Sequence, residues 1–174
     1  MKTPLSEAMR IEPAHEADLP AISQLAAVIW RACYPNIITR EQIEYMLDAM
    51  YSIETLRKEI LSEGICYQRL FVAGEFAGFA SYGPTAPGVF KLHKLYLDPK
   101  WHGRGLGHLL LQHCEREIRK SNAGRLTLNV NKHNANAIAF YRRNGFAVVA
   151  SVIVDIGGGF VMDDHVMAKE FLPS

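Results

Sequence analysis

The stretch LYLDPKWHGRGLG, residues 95–107, decides how the rest of the chain is interpreted. A strand pattern stops at Asp98-Pro99, a glycine-rich turn follows, and a long amphipathic helix starts inside that turn. Glycine lacks Cβ, so a bulky anion can approach its backbone, and the first N–H groups of a helix have no partner within the helix. Together with the helix dipole, these groups form an anion site suited to a pyrophosphate. Tight packing alone is the other interpretation of the glycines.

The turn differs from two well-known phosphate loops. The run Gly103-Arg104-Gly105-Leu106-Gly107 has the spacing GxGxG, whereas a dinucleotide fingerprint reads GxGxxG within an early βαβ unit. The P-loop requires GxxxxGK followed by Ser or Thr, and Gly-Lys-Ser/Thr does not occur in the chain. The turn therefore predicts an anion site of another type.

Outward from this stretch, the hydrophobic pattern predicts alternating groups of strands and helices. Apolar residues at every second position indicate strands, and spacings of three and four indicate helices. The predicted strands cover residues 9–13, 67–73, 76–82, 89–97, 125–130, 146–155 and 160–171. The predicted helices start near residues 18, 39, 52, 105 and 135. This order predicts an α/β fold, of the α+β kind, around one mixed sheet in a single domain over residues 1–174.

Individual side chains predict how several helices begin. Asp18 and Ser52 are placed to act as N-caps. Thr39 and Gln42 fit a capping box, in which a threonine hydroxyl and a glutamine side chain satisfy free backbone N–H groups. The helix over residues 105–120 is expected to bury one face, formed by Leu106, Leu109, Leu110, His113, Cys114 and Ile118.

Composition excludes several classes of protein. With 49% apolar and 21% charged residues, the chain of 174 residues is expected to fold without disulfides or a metal. The three cysteines are scattered, which is typical of free thiols in the cytoplasm, and the seven histidines show no metal-ligand spacing. A net charge of +1 argues against a nucleic-acid partner. The N-terminus is not a signal peptide, and no apolar run is long enough to cross a membrane.

A second motif, NANAIAFYRRNGF, covers residues 134–146. Asn134 can cap a short helix, and Asn144-Gly145 can end it. Tyr141 lies about two turns along this helix. A tyrosine in a helix is often a packing residue, so a functional role for Tyr141 depends on the glycine-rich turn lying nearby.

Together the two stretches resemble the GCN5-related N-acetyltransferase (GNAT) superfamily. The first matches its Q/R-x-x-G-x-G/A acetyl-CoA loop over residues 102–107, with His102 where the family usually has Gln or Arg. The second matches its N-x-x-A-x-x-F/Y-Y-x-x-x-G-F segment from Asn134 to Phe146. The resemblance implies a single domain of this type, with a mixed, mostly antiparallel sheet flanked by helices. It also implies transfer of an acetyl group from acetyl-CoA to a primary amine, without a metal.

The resemblance also implies roles for particular residues. The backbone of residues 102–107, with His108, would bind the CoA pyrophosphate. Free backbone groups on a splayed strand would bind pantetheine, and the N–H of Leu97 would face the developing oxyanion. Tyr141 would protonate the leaving thiolate as general acid, and Asn134 would contact the cofactor. The implied cofactor-binding residues are Leu95, Tyr96, Leu97, His102, Gly103, Arg104, Gly105, Leu106, Gly107, His108, Asn134 and Tyr141.

The base that deprotonates the attacking amine is left open by the sequence. An alkyl amine resembles lysine, with a pKa of about 10.4, so it is mostly protonated near neutrality. His93 precedes the loop and has a suitable ordinary pKa, although it can equally be a packing histidine. Asn129 stands where some relatives place a glutamate, and it cannot act as a base. A chain of water molecules is the alternative to His93.

The sequence indicates the nature of the acceptor amine less specifically than it indicates the cofactor. Segments 41–46, 50–52, 78–82, 94–97 and 164–167 resemble small-amine acetyltransferases, the spermidine/spermine type in particular. Between Glu41 and Glu63 there are six acidic residues against two basic ones, which either attract a polyamine or form ordinary solvated helix faces. The alternatives are acetylation of a protein or peptide amine, and a non-catalytic CoA-binding module. A homodimer is also compatible with the sequence.

Overall fold

A computed structural model describes residues 9–172 of the chain, so most of the N-terminal stretch discussed above lies outside the described residues. The elements follow one another as β1 (Met9–Pro13), α1 (Leu19–Cys33), α2 (Arg40–Tyr51), α3 (Ile53–Ser62), β2 (Cys66–Val72), β3 (Glu75–Ala86), β4 (Val89–Leu97), α4 (Leu106–Arg119), β5 (Arg125–Asn131), α5 (Ala135–Arg143), β6 (Ala147–Gly157) and β7 (Phe160–Glu170). Short 3₁₀ turns cover Glu16–Asp18 and Pro99–Trp101.

The seven strands form one sheet in the order β1-β2-β3-β4-β5-β7-β6. Every neighbouring pair is antiparallel except β4 and β5, which are parallel. The predicted fold class, a mixed and mostly antiparallel sheet flanked by helices, is therefore confirmed.

The parallel pair separates part-way along its length. Val89–Leu92 of β4 pairs with Arg125–Leu128 of β5, and no pairing continues beyond Leu92, although β4 runs on to Leu97. The last part of β4 thus has a neighbour on one side only, β3. This opening in the middle of the sheet is where the cleft described below lies.

A hydrophobic core packs on each face of the sheet. On one face, α4 and α5 cover a cluster that includes Leu110, Leu126 and Met167. On the other face, α1, α2 and α3 cover a cluster that includes Ile22 and Ile43. Each helix buries an apolar stripe against the sheet, because helices on a sheet are amphipathic.

Two of the predicted helix starts differ in detail. Thr39 Oγ1 accepts a hydrogen bond from the N–H of Gln42, as expected, but Gln42 Nε2 donates to the carbonyl of Val161 instead of completing a capping box. The Asp18 carboxylate does not cap α1; it accepts from the N–H of His15 and pairs with Arg69 at 2.7 Å. In both cases a tertiary partner takes the polar group that a purely local rule assigns to the helix end.

The buried face of α4 is rotated from the predicted one. Leu109 is 38% exposed and His113 is partly exposed, whereas Leu111 and Glu115 are buried. Glu115 is buried because Lys169 of β7 pairs with it at 2.8 Å. The expected apolar stripe missed this position because a charged residue does not signal burial unless its partner is known.

Candidate active site

An open cleft of about 1150 Å³ lies where β4 and β5 separate. One half is lined by the end of β4, the turn after it and α5; the other half is lined by α1, α2, α3, the middle of β4, the end of β5 and the hairpin of β6 and β7. We call these the loop half and the helix half. Both long sequence motifs contribute residues to the loop half.

The glycine-rich turn uses backbone conformations that favour glycine. Gly103 and Gly105 have φ angles of 73° and 76°, which side chains of L-residues rarely adopt. A Cβ at either position would meet no atom within 4 Å, so nothing in the protein occupies the space in front of them. Gly105 is the N-cap of α4 and carries no side chain, so the free N–H groups of the first turn remain available to an anion.

The third glycine has a packing role. A Cβ on Gly107 would lie 3.4 Å from the Phe140 ring, so a bare glycine lets α4 approach α5 closely. His108 and Asn144 add a hydrogen bond between the same two helices. Gly107 thus serves packing, whereas the space in front of Gly103 and Gly105 is open.

The end of β4 presents free backbone groups to the cleft. The N–H of Asp98 donates to the carbonyl of Ala77 in β3, so the N–H and C=O of Leu97 point to the opposite side of β4. No strand pairs with β4 there. The Leu97 carbonyl binds His102 Nε2 at 2.9 Å, which ties the turn to the strand and leaves the Leu97 N–H facing the cleft.

Alternation along β4 separates the predicted residues into two kinds. Leu95 has its backbone groups on the same side as Leu97, whereas those of Tyr96, which pairs with Phe79, point toward β3. Tyr96 reaches the cleft through its side chain, whose ring centroid lies 5.9 Å from that of Trp30. Pantetheine-type backbone contacts are thus available from Leu95 and Leu97, and the Tyr96 ring forms part of the wall.

Tyr141 lines the cleft from α5 and is only 9% exposed. Its ring packs edge-on against Phe140 and Phe146, with centroids 5.2 and 5.6 Å apart. Burial, and then the neighbouring Tyr34, raise the pKa of the Tyr141 hydroxyl above its ordinary value. The hydroxyl is therefore protonated at neutral pH.

Asn134 has a clear local role. Its Oδ1 accepts from the N–H of Ala137 at 3.2 Å, which caps α5 as predicted. Asn134 thereby fixes the start of the helix that carries Tyr141.

The structure brings together the cofactor-binding residues that the sequence named, with one exception. Arg104 does not line the cleft; its guanidinium lies 4.8 Å from the centroid of the Trp101 ring. The residues that do line it are Leu95, Tyr96, Leu97, His102, Gly103, Gly105, Leu106, Gly107, His108, Asn134 and Tyr141.

His93 lines the helix half at an exposed position of β4, next to the buried Lys94. Partial loss of hydration within the cleft, reinforced by the charges of Lys91 and Lys94, lowers the pKa of His93 to about 4. Lys94 is 4% exposed and donates to both carboxylate oxygens of Glu59, at 2.8 and 2.7 Å. The Tyr67 hydroxyl also bonds to Glu59. Glu59 is thus fully engaged by residues of the protein.

The acidic excess of α2 and α3 is mostly directed away from the cleft. Of its six carboxylates, Glu59 alone lines the cleft. Glu44 pairs with Arg31 at 2.8 Å, and Glu63 pairs with Lys58 at 3.1 Å. The structure instead places Asp164 of β7 in the cleft, 2% exposed. Sequence analysis missed this role because strand residues carry no signal of which acid is buried; the segment 164–167 was noted only for its resemblance.

Two further features concern metal ligands and membrane-spanning helices. Within residues 9–172, no group of three or more His, Cys, Asp or Glu side chains is arranged to hold a metal ion. No helix in that range has the length and apolar character needed to span a bilayer.

The comparisons with known proteins agree with this geometry. A family model described as the Acetyltransferase (GNAT) family matches residues 23–146. The chain belongs to the GNAT family. It is an acetyl-CoA-dependent N-acetyltransferase, and acetyl-CoA is its co-substrate.

Relatives of this GNAT have different acceptors. The spermidine N(1)-acetyltransferase of Thermoplasma acidophilum is 30% identical over 135 residues, covering 75% of this chain and 83% of the relative. The crystal structure of the PaiA N-acetyltransferase of T. acidophilum in complex with coenzyme A matches with a TM-score of 0.80 and 27% identity, over 94% of this chain and 99% of the other. The peptidyl-lysine N-acetyltransferase YjaB of Escherichia coli is 39% identical, but over only 35% of this chain and 38% of the relative.

Proposed function

We propose that this GNAT acetylates the primary amine of a small amine or polyamine, by direct attack of the amine on acetyl-CoA with Tyr141 as general acid. The observation that carries the choice of acceptor is a bridge between α2 and the hairpin of β6 and β7. Tyr45 of α2 donates its hydroxyl hydrogen to the carbonyl of Ile156 at 2.6 Å, and Gln42 donates to the carbonyl of Val161 at 2.9 Å.

This bridge closes one side of the helix half. An extended peptide needs a groove open at both ends, and a peptide entering between α2 and the hairpin would have to break these two hydrogen bonds. Met46 and Met50 of α2 and Ile156 and Met162 of the hairpin line the enclosed space. Such a pocket suits a slender aliphatic amine, in agreement with the similarity to a spermidine acetyltransferase.

The loop half supplies the groups that the reaction needs. The Leu97 N–H faces the cleft, where it would stabilise the oxyanion that forms when the amine attacks the thioester. As the tetrahedral intermediate collapses, the C–S bond breaks and the CoA sulfur leaves as a thiolate. Tyr141 would donate its proton to that sulfur, a transfer typically worth ~10²–10⁴-fold.

The amine has to lose a proton before it attacks. A histidine with a pKa of about 4 is a weak acceptor for the proton of an alkylammonium, so His93 is disfavoured as the base. We therefore favour transfer of this proton through water in the open cleft. Asn129, which also lines the cleft, has no basic group and can only orient such water.

The experiment that tests this function is a panel of acceptors assayed with acetyl-CoA by release of the CoA thiol. We expect spermidine and short alkyl diamines to react with a kcat/KM well above that of a lysine-containing peptide. A peptide acetylated with a much higher kcat/KM than any small amine would transfer the assignment to protein acetylation, the activity of the relative YjaB.

Two further properties are proposed with the function. A cytoplasmic location suits Cys33, Cys66 and Cys114, which are free thiols. A homodimer through β6 is suggested by its position at the sheet edge and by exposed apolar side chains such as Val149 and Ile153. Light scattering tests the dimer, and a particle with the monomer mass of 19.5 kDa contradicts it.

A further inference from the structure

Three charged residues are buried among residues 9–172, and they differ in their partners: Lys94 is 4%, Glu115 is 8% and Asp164 is 2% exposed. A buried charge is costly unless an opposite charge and hydrogen bonds compensate it. Lys94 pairs with Glu59 at 2.7 Å, and Glu115 pairs with Lys169 at 2.8 Å.

Asp164 has no counter-ion of this kind among the described residues. No Lys, Arg or His nitrogen within residues 9–172 forms a salt bridge with it, and its Oδ1 is buried without a hydrogen-bond partner. Where this protein buries a charge for structural reasons, it supplies the counter-ion from its own chain. The exception is Asp164, a buried acid that lines the cleft without a salt-bridge partner, so its counter-ion is expected to come from outside the chain.

The position of Asp164 assigns it to the helix half. It lies opposite Asn131 of β5, and side chains at alternate positions of β7 share a face of the sheet. Met162, two residues earlier, packs against the cluster under α1, α2 and α3, so Asp164 faces the same side. The neighbouring Asp163 faces the other side and is paired with Lys132 at 2.5 Å.

We propose that Asp164 binds an ammonium group of the acceptor amine and thereby selects cationic acceptors; this inference rests on the function proposed above and names the group that recognises its substrate. An ammonium offers three N–H donors and a full positive charge, which are what an unpartnered buried carboxylate lacks. Glu59, the other carboxylate in the cleft, cannot serve because Lys94 and Tyr67 already occupy it.

The surroundings of Asp164 agree with a cationic ligand. Burial raises the pKa of its carboxyl, while the side chain of Asn129 and the charge of Lys91 oppose that rise. A bound ammonium favours the ionised carboxylate further, so the acid and the cation stabilise each other's charged state. The Asp164 carboxyl is therefore expected to be more fully ionised when an ammonium group occupies the pocket.

The test compares Asp164→Asn with Asp163→Asn, which removes a carboxylate of the same size from the opposite face of the same strand. For spermidine, or for the small amine with the highest kcat/KM in the panel, Asp164→Asn is expected to raise KM about 10- to 100-fold, the range for loss of a charge-assisted hydrogen bond. The kcat at saturating amine and the KM for acetyl-CoA should change less than about 3-fold, and Asp163→Asn should change none of these values by more than about 2-fold.

Thermal unfolding adds a readout that a structural role would not give. Spermidine should raise the Tm of the wild type but not of Asp164→Asn, since only the free carboxylate binds it. In the absence of amine, Asp164→Asn should keep or raise the Tm, whereas Glu115→Gln should lower it by leaving Lys169 without its partner.

The outcomes separate the two proposals. If the wild type acetylates a small amine and Asp164→Asn keeps its KM within about 2-fold, the role of Asp164 is wrong and the proposed function stands. A Tm for Asp164→Asn lowered as far as that of Glu115→Gln also overturns the role, because the carboxylate would then be structural. If the wild type acetylates no small amine, the proposed function fails, and the spermidine-dependent Tm shift alone decides whether Asp164 binds an ammonium.

Discussion

The two halves of the cleft are built in different ways. The loop half comes from two contiguous stretches within residues 95–108 and 134–146, and it is proposed to act largely through backbone groups. The helix half is assembled from α1, α2, β5 and the hairpin of β6 and β7, which are far apart in the sequence. A site made of backbone groups can be predicted from the glycines and helix starts in the sequence. A site made of side chains from distant elements can be identified only in the folded structure.

The largest expected effect is on the loop half. Gly105→Glu places a carboxylate in front of the free N–H groups of α4, at a residue with a φ of 76°. Like-charge repulsion with the pyrophosphate should weaken CoA binding about 100-fold or more, as measured by calorimetry.

Gly74→Glu is the matched control for this change. Gly74 has a φ of 80°, a Cβ there meets nothing within 4 Å, and the turn between β2 and β3 does not line the cleft. Gly74→Glu introduces the same charge under similar backbone strain, so the affinity for CoA should stay at the wild-type value. A folded Gly105→Glu protein that binds CoA normally would show that the pyrophosphate lies elsewhere.

The second largest effect is expected from Tyr141, the side chain of the loop half that is proposed to act as general acid. Tyr141→Phe keeps the ring packing and removes only the hydroxyl, so kcat should fall roughly ten-fold or more while CoA affinity is unchanged. Because burial raises the pKa of Tyr141, this hydroxyl is protonated near neutral pH, and a loss of wild-type activity there must arise from another group. Rapid-quench measurements of the chemical step provide the check.

Tyr82→Phe controls for loss of a buried hydroxyl. Tyr82 is 5% exposed, accepts a hydrogen bond from Gln68 and lies outside the cleft. Tyr82→Phe should therefore leave kcat unchanged. Equal kcat values for wild type and Tyr141→Phe, with chemistry limiting the rate, would exclude Tyr141 as the acid.

The sequence predicted the fold and the loop half better than the helix half, for physical reasons. Strand alternation, helical spacing and the turn at Gly105 are local properties, so the order of elements and the anion site followed from them. The roles of Gln42 and Asp164 did not, because the first depends on a carbonyl 119 residues away and the second on burial by a distant helix layer. The acids of α2 and α3 misled for the same reason: their partners, such as Arg31, are set by packing.

A smaller effect is expected from loosening the wall of the helix half. Gly158→Ala places a Cβ 2.7 Å from the Tyr45 ring at a residue with a φ of 63°, so either the hairpin or the Tyr45 ring must shift. We expect KM for a small amine to rise roughly 3- to 10-fold, equivalent to a loss of about 1 kcal/mol, with KM for acetyl-CoA unchanged. Steady-state kinetics with each substrate varied in turn measures both values.

The adjacent glycine supplies the control for Gly158→Ala. Gly159 has a φ of 80°, but a Cβ there meets nothing within 4 Å. Gly159→Ala therefore carries similar backbone strain without touching α2, and it should leave both KM values unchanged. If the two variants behave alike, the contact with Tyr45 does not shape the acceptor pocket.

The smallest effect should come from the exposed acids outside the cleft. Glu41 is exposed on α2 and does not line the cleft, so it acts on a polyamine only at long range. Charges further apart than a screening length of about 8 Å interact weakly at physiological salt. Glu41→Lys should therefore lower kcat/KM for spermidine less than about 2-fold at physiological salt and somewhat more at low salt, while a neutral-tailed monoamine is less affected. Glu41→Gln, which removes the charge without reversing it, should give about half of that change on a logarithmic scale. A fall of ten-fold or more at physiological salt would show that α2, rather than the interior of the helix half, selects the cation.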